Sequence, residues 1–227
     1  MIKPASAGCD LRCRYCFYWD EAAQRETASF GKMRPETLRD CLGSVRKSAQ
    51  PGDTVTLAFQ GGEPTLAGLD FFRTVIDLTG QWPKNIRLQY TLQTNGLHLD
   101  EEWCAFLKKH NFLVGISYDL LPEYHDAARV DIAGNGTARR VETAIANLQK
   151  AGVWVFGTAA DGNTALYQAD LKGPAAIVIG NEGDGMSRLV AEACDFKVSI
   201  PMRGRISSLN ASNAAAILLY EAVRQRG

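Results

Sequence analysis

Strand-like and helix-like patterns alternate along this chain, and the alternation constrains its fold more than any other feature of the sequence. Apolar runs that predict strands lie at residues 54–59, 86–92, 112–117, 153–156, 175–179 and 196–200. Amphipathic segments that predict helices begin near Gly68, Asp100, Thr137 and Ser208. Strands that alternate with helices favour a mostly parallel sheet, because parallel neighbours need a crossover connection. We therefore expect an α/β fold, either a partial barrel or an open doubly wound sheet.

The charge balance and the distribution of apolar residues bear on whether this protein binds nucleic acid or a membrane. The 227 residues include 25 basic and 25 acidic side chains, so no strong global field attracts nucleic acid or a membrane. No apolar run approaches the roughly 18–20 residues that span a bilayer, and the N-terminus lacks the pattern of a signal peptide. We expect a soluble cytoplasmic protein with no membrane partner.

Three of the six cysteines, Cys9, Cys13 and Cys16, lie within eight residues. Thiolates are the usual ligands of iron–sulfur centres, and three of them leave one iron of a [4Fe–4S] cluster without a protein ligand. That open position suits chelation by the amino and carboxylate groups of S-adenosylmethionine. Zinc and unliganded thiols are the alternatives, but no His or Cys follows within fifteen residues of Cys16 to complete a zinc site.

Residues 2–153 resemble the anaerobic sulfatase-maturating enzymes of the radical S-adenosylmethionine superfamily. The segments that carry this resemblance are the cysteine motif with Phe17-Tyr18 after it, Ile2–Ser6, Ala58–Thr65 (AFQGGEPT), Leu92–Gly96 (LQTNG) and Val114–Ser117 (VGIS). The resemblance implies a [4Fe–4S] cluster on the three cysteines. It also implies a 5′-deoxyadenosyl radical that oxidises a Cys or Ser of a sulfatase-like peptide or protein to formylglycine.

The same resemblance implies a binding site for S-adenosylmethionine. Tyr15 is implied to pack near the adenine, and Glu63 to hold the amino group of the methionine. The other residues implied to line the site are Gly62, Ser117 and Arg129. Leu120 stands where the family usually has Gly. We expect the family's later part, with its catalytic base and auxiliary-cluster cysteines, to be missing from these residues.

Residues 154–226 resemble the C-terminal half of the SpoU class of RNA 2′-O-ribose methyltransferases, which have the knotted SPOUT fold. The resemblance is carried by Ala176–Met186, Ile200–Gly204 and Ser207–Ser212. It implies RNA as a partner, a homodimer, and backbone contacts to S-adenosylmethionine in the knot from Gly180, Ile200 and Leu209. Residues implied to lie near the methyl-transfer site are Glu182, Ser208 and Asn210. The family's upstream motif, with its catalytic Arg and Asn, is expected to be missing.

The alternative to this second resemblance is ordinary local structure. Gly180–Gly185 also fits a strand-to-helix turn, and the Ser-Ser-Leu-Asn segment also fits a helix N-cap. The two motifs occur in the family's order and precede an apolar helix, which favours the resemblance.

The two resemblances meet at Leu148–Val153, where a helix ending in Gly152 leads into a strand in both families. We interpret the chain as a chimera, with residues 1–153 as a partial radical-type barrel and 154–227 as a SpoU-like part, joined in one fused α/β fold. Three functions follow as hypotheses: a radical S-adenosylmethionine protein, an RNA 2′-O-methyltransferase, or a catalytically inert hybrid.

Overall fold

The computed structural model describes residues 1–16, 18, 22–119, 121–159, 161–179, 192, 194–202, 209 and 211–227. The strands are β1 (Thr54–Phe59), β2 (Arg87–Thr94), β3 (Leu113–Ile116), β4 (Trp154–Thr158), β5 (Thr164–Ala165), β6 (Ala175–Val178) and β7 (Phe196–Ser199). The helices are α1 (Pro35–Ser48), α2 (Leu69–Thr79), α3 (Glu101–Lys109), α4 (Pro122–Ala128), α5 (Ala138–Lys150) and α6 (Ala211–Arg226), with 3₁₀ turns at Pro64–Ala67 and Leu166–Gln168.

The described strands form a single sheet in the order β1-β2-β3-β6-β4-β7-β5, and every neighbouring pair is parallel. Strand β6 lies between β3 and β4, so that Ala175 pairs with Leu113 on one side and with Trp154 on the other. Strands from both sides of residue 153 therefore share one hydrogen-bonded sheet. The predicted α/β fold with a mostly parallel sheet is confirmed, whereas the domain division at residue 153 stays a prediction.

Alternate residues of the central strands enter two different cores, one on each face of the sheet. Val114 and Val178 belong to the larger core, which α1, α2, α3 and α5 cover and in which Phe59, Phe72 and Phe112 pack together. The smaller core lies under α6, and its largest buried members are Leu113, Phe156, Leu166, Leu171, Ile177 and Leu218. Helix α6 thus covers the sheet face opposite α1, α2, α3 and α5.

The connection between α5 and β4 has the backbone geometry that its sequence predicts. Gly152 adopts φ +81°, its N–H donates to the carbonyl of Gln149 at 2.8 Å, and the Val153 N–H donates to Leu148 at 2.9 Å. These paired bonds form a Schellman motif, which favours glycine because the left-handed conformation strains other residues. Asp100 also caps α3 as predicted, accepting from the Trp103 N–H at 2.9 Å.

The structure adds elements that the sequence patterns did not predict. Helix α4 and the short strand β5 are of this kind. The predicted start of the last helix at Ser208 lies outside the described residues. Among the helices that are described, none is long and apolar enough to cross a bilayer.

Candidate functional site

Residues 7–16, here named the cysteine loop, lie across the carboxyl edge of the sheet and are fastened by three neighbouring segments. The Glu63 N–H donates to the Gly8 carbonyl at 2.7 Å. Asp10 accepts from the Asn95 amide at 2.8 Å and pairs with His98 at 2.8 Å. The far end of the loop runs beside residues 128–131, through hydrogen bonds of 2.8 and 2.9 Å from the N–H groups of Arg12 and Arg14. Residues distant in sequence therefore fix the position of the three cysteines.

The predicted site residue Gly62 contacts this loop directly. It has φ +52°, and a Cβ at this position would lie 2.2 Å from the Gly8 carbonyl oxygen and 2.9 Å from the carbonyl carbon of Ala7. Only a residue without a side chain permits this approach. Gly62 thus positions the backbone that leads into Cys9.

The three thiols are free and half-buried, and N–H groups point at two of the sulfurs. The Cys9 sulfur lies 3.4 Å from the Leu11 N–H nitrogen and 4.0 Å from the Asn95 amide, and the Cys13 sulfur lies 3.9 Å from an Arg129 nitrogen. Burial raises the pKa of Cys9 to about 12, although the hydrogen bond from the Leu11 N–H offsets part of the rise. Burial also raises the pKa of Cys13, and the nearby positive charge of Arg129 offsets part of that rise. Metal binding must therefore release protons from these thiols.

The three cysteines are the metal ligands that the cysteine loop offers. Across the described ranges, no three His, Cys, Asp or Glu side chains are grouped so that they could hold a metal ion. A structural zinc ion needs four such ligands around one point, whereas each thiolate of a cubane cluster binds a different iron. N–H donors to cysteine sulfur are also a recognised influence on iron–sulfur clusters. The same finding covers Cys9, Cys13 and Cys16, so it does not separate a cluster from a zinc ion.

Glu63 is buried beneath the cysteine loop, with 1% of its surface exposed. One carboxylate oxygen accepts from the Thr65 N–H, the Thr65 hydroxyl and the Thr94 hydroxyl at 2.6–3.0 Å, and the other accepts from the Asn95 N–H at 2.7 Å. Burial raises the pKa of Glu63, and these hydrogen bonds oppose the shift. Glu63 ties the glycine turn to the end of β2. Its contact with a methionine amino group stays a prediction.

Tyr15, Asp119 and Arg129, here named the clamp, form a second polar cluster. The Tyr15 hydroxyl lies 2.8 and 2.6 Å from the two carboxylate oxygens of Asp119. Arg129 donates to Asp119 at 3.2 Å, and its guanidinium lies 5.2 Å from the centre of the Tyr15 ring. Partial burial raises the pKa of Tyr15, with Asp119 raising it further, so the phenol stays protonated and donates. Since Arg129 also reaches the Cys13 sulfur, the clamp adjoins the cysteine loop.

The clamp forms one wall of a cavity of about 840 Å³. This size lies within the range of small-molecule sites, and ligands of parallel sheets bind at the carboxyl ends of strands. The base of the cavity is lined by Gln93, one residue before the end of β2, and by Ser117, directly after β3. The Gln93 amide donates to the Ser117 hydroxyl at 3.1 Å. One further part of the cavity wall is apolar and comes from Ile177, Ile179, Ala215 and Leu219.

Of the predicted cofactor-binding residues, Tyr15, Ser117 and Arg129 line this cavity, whereas Gly62 and Glu63 lie beneath the cysteine loop. Ile200 is half-buried against the smaller core, and Leu209 is half-buried; neither lines the cavity. The predicted residues Gly180, Glu182, Ser208 and Asn210 lie outside the described residues.

Several residues at the site were not predicted from the sequence. Asp119 and Gln93 line the cavity, and Asn95 and His98 hold the cysteine loop. All of them follow or end a strand at the carboxyl edge of the sheet, which was the signal available in the sequence.

Fold and site together define a parallel α/β protein with a thiolate loop for a metal cluster beside a cofactor-sized cavity. The family model of the Radical SAM superfamily matches residues 4–164, which is more than half of the chain. The chain belongs to the radical SAM superfamily. A cysteine-type anaerobic sulfatase-maturating enzyme from Clostridium novyi (strain NT) is 43% identical over 151 residues, covering 66% of this chain and 40% of that enzyme.

A solved structure of native anSMEcpe with bound AdoMet and Cp18Cys peptide has a TM-score of 0.61 to this chain at 40% identity. The match covers 69% of this chain and 41% of the solved one. The chain therefore spans about two fifths of the length of these relatives.

The other end of the chain is similar to a second family. The model of the SpoU rRNA Methylase family matches residues 127–220. The 23S rRNA (guanosine-2′-O-)-methyltransferase RlmB of Shewanella oneidensis is 60% identical over 80 residues, covering 35% of this chain and 32% of that enzyme. The two matched regions overlap between residues 127 and 164, which includes the predicted junction at Leu148–Val153. The predicted resemblance of the two parts of the chain to two families is confirmed.

Proposed function

We propose that this chain binds a [4Fe–4S] cluster on Cys9, Cys13 and Cys16, and S-adenosylmethionine in the adjoining cavity. The observation that carries the proposal is the position of Arg129. Its guanidinium reaches the Cys13 sulfur at 3.9 Å and also belongs to the clamp that lines the cavity. One side chain therefore contacts both the cysteine loop and the cavity, and an electron can pass between a cluster and a ligand only when they lie close together.

The polar part of the cavity suits the amino-acid end of S-adenosylmethionine. Arg129 is the cation that a carboxylate needs, and Ser117 offers a hydroxyl beside it. Asp119 keeps the Tyr15 phenol and the Arg129 guanidinium in fixed orientations through its hydrogen bonds. When bound, a reduced cluster supplies the electron that cleaves the carbon–sulfur bond of S-adenosylmethionine.

The substrate of this chemistry is a proposal that rests on the relatives. The sulfatase-maturating enzymes that match this chain, and the peptide in the solved structure, support a Cys or Ser side chain of a peptide or protein as the group that is oxidised. We therefore propose formylglycine formation on a sulfatase-like peptide as the reaction to assay first.

Anaerobic reconstitution with iron and sulfide tests the cluster. We expect about four iron atoms per chain and broad visible absorbance. Both are lost in the triple variant Cys9→Ala, Cys13→Ala, Cys16→Ala and kept in the control variant Cys41→Ala, Cys194→Ala, which removes cysteines outside the loop. A folded wild-type protein that takes up no iron would contradict the proposal.

Reductive cleavage tests the cofactor. With a chemical reductant, the reconstituted wild type is expected to convert S-adenosylmethionine to 5′-deoxyadenosine and methionine, and Arg129→Gln to lose most of this turnover. A cluster-loaded wild type that never forms 5′-deoxyadenosine would remove radical chemistry while leaving the cluster in place, and would favour an inert hybrid.

RNA 2′-O-methylation is the second candidate, because residues 127–220 match the SpoU rRNA Methylase family. It predicts aerobic transfer of a labelled methyl group to ribosomal RNA, without iron, and sensitivity to Asn210→Ala. Absence of label at high enzyme concentration would eliminate it.

A further inference from the structure

The cavity is built by both parts of the chain. Tyr15 and Ser117 come from residues that only the Radical SAM model matches, and Arg129 from residues that both family models match. The residues that only the SpoU model matches supply Ile177, Ile179, Ala215 and Leu219. These four apolar residues are here named the apolar wall. Neither segment alone encloses the cavity.

Helix α6 holds its half of the apolar wall rigidly. Ala215 and Leu219 are one turn apart and so share a face of the helix. On the inner side of α6, Leu218 and Ala222 are completely buried in the smaller core. At its end, Arg226 donates to the carbonyls of Leu171 at 2.8 Å and Gly173 at 2.5 Å.

The two walls of the cavity differ in chemistry. The clamp presents a guanidinium, a carboxylate and a phenol, whereas the apolar wall presents aliphatic carbon. A ligand that touches both walls needs a charged end and an apolar surface. Contact with aliphatic carbon contributes affinity in proportion to the apolar area removed from water.

We infer that helix α6 forms part of the cofactor site, and that Ala215 and Leu219 set the size and the affinity of the ligand by contacting the adenosyl part of S-adenosylmethionine while Arg129 holds its amino-acid end. The inference rests on the proposed function. It gives the methyltransferase-like segment a role within the radical-type site rather than a separate methyl-transfer site.

Adjacent alanines of α6 provide a matched test. Ala215 lines the cavity, whereas Ala216 is exposed and does not line it. Ala215→Trp and Ala216→Trp add the same side chain to the same helix, so only the first fills the cavity. The probe is S-adenosylmethionine, measured by anaerobic equilibrium dialysis on cluster-loaded protein, with iron content and circular dichroism recorded for each variant.

We expect Ala215→Trp to weaken binding at least tenfold and Ala216→Trp to change it less than twofold. Leu219→Ala, at a side chain that is 37% exposed and therefore tolerant of truncation, should weaken binding severalfold, and it keeps the test valid if Ala215→Trp misfolds. Equal affinity of Leu219→Ala, Ala215→Trp and wild type would overturn the inference but leave the proposed function standing. A cluster-loaded wild type that binds no S-adenosylmethionine would overturn both.

Binding at a methyltransferase-type site would give a different pattern. There, Arg129→Gln and Ala215→Trp would both leave the affinity unchanged, because neither residue belongs to the segments with Gly180, Ile200 and Leu209. If affinity falls in both variants, the ligand lies in the cavity between the two walls, which supports the inference.

Discussion

Replacing Thr137 by valine removes the centre of a buried hydrogen-bond chain that holds the clamp. The Thr137 hydroxyl accepts from His125 Nε2 at 3.0 Å and donates to the Arg129 carbonyl at 2.8 Å. His125 Nδ1 in turn accepts from the Asp119 N–H at 3.2 Å. The backbones of two clamp residues are thus fixed through Thr137 and His125, which are 1% and 0% exposed.

The expected cost follows from the groups left without partners. Valine has nearly the shape of threonine but neither donates nor accepts, so His125 Nε2–H and the Arg129 carbonyl both lose their bond. A buried polar group left unsatisfied costs about 1–3 kcal/mol, so the two together should lower the free energy of unfolding by roughly 2–6 kcal/mol. This is a large part of the roughly 5–15 kcal/mol that stabilises a typical domain.

Urea unfolding of metal-free protein measures the change, with Thr137→Ser as the control. Serine keeps the hydroxyl and loses one methyl group, so it should cost about 1 kcal/mol. In cluster-loaded protein, Thr137→Val should also weaken S-adenosylmethionine binding, and Thr137→Ser should restore it. If the valine variant proves as stable as the serine variant, the hydrogen-bond chain does not stabilise the fold and the reasoning fails.

Three further predictions concern the glycine turn, the buried histidine and the end of α6. Gly62→Ala should lower iron uptake severalfold because the added Cβ collides with the cysteine loop. Gly31→Ala is the control: Gly31 has φ +71° but open space around it, so this variant should keep full uptake. An equal loss in both variants would mean that backbone strain alone causes the effect. Burial lowers the pKa of His125 below its usual 6.5, with Arg129 contributing, so the unfolded chain binds the proton first. The contribution of neutral His125 to the free energy of unfolding should therefore be complete above about pH 6.5 and be lost as the pH falls. The free energy of unfolding of His125→Gln should fall less steeply with decreasing pH, and identical slopes in the two proteins would contradict this. Arg226→Ala should lower the urea midpoint clearly, because its guanidinium donates to the carbonyls of Leu171 and Gly173, whereas Arg224→Ala, at an exposed arginine, should change the midpoint little; equal midpoints would refute the difference.

The sequence was sufficient to predict the class of fold, because strand and helix periods are local signals. Helix α4 was not predicted for a physical reason: it has seven residues and buries only His125, so it carries no apolar stripe. The cysteine loop was predictable because its three cysteines lie close together in sequence. Asp119 was not, since its partner Tyr15 lies 104 residues away and only the folded sheet joins them.

Contacts between residues distant in sequence also limited the prediction of the site around Glu63. Glu63 was predicted to hold the amino group of a methionine, which stays a prediction. The hydrogen bonds that its carboxylate oxygens accept from Thr65, Thr94 and Asn95 were not predicted. The strand ends that supply Thr94 and Asn95 are visible in the sequence, but their distance from Glu63 is set by the pairing of β1 with β2.

The position of β6 determines when this chain can complete its fold as it leaves the ribosome. Strand β3 emerges early but remains an unpaired edge until residues 175–178 have been synthesised and inserted beside it. Exposed strand edges are sites of aggregation, and long-range parallel pairing is slow. The nascent chain therefore carries an open edge through the synthesis of about sixty residues, and chaperone protection over that interval should govern how much protein reaches the native state.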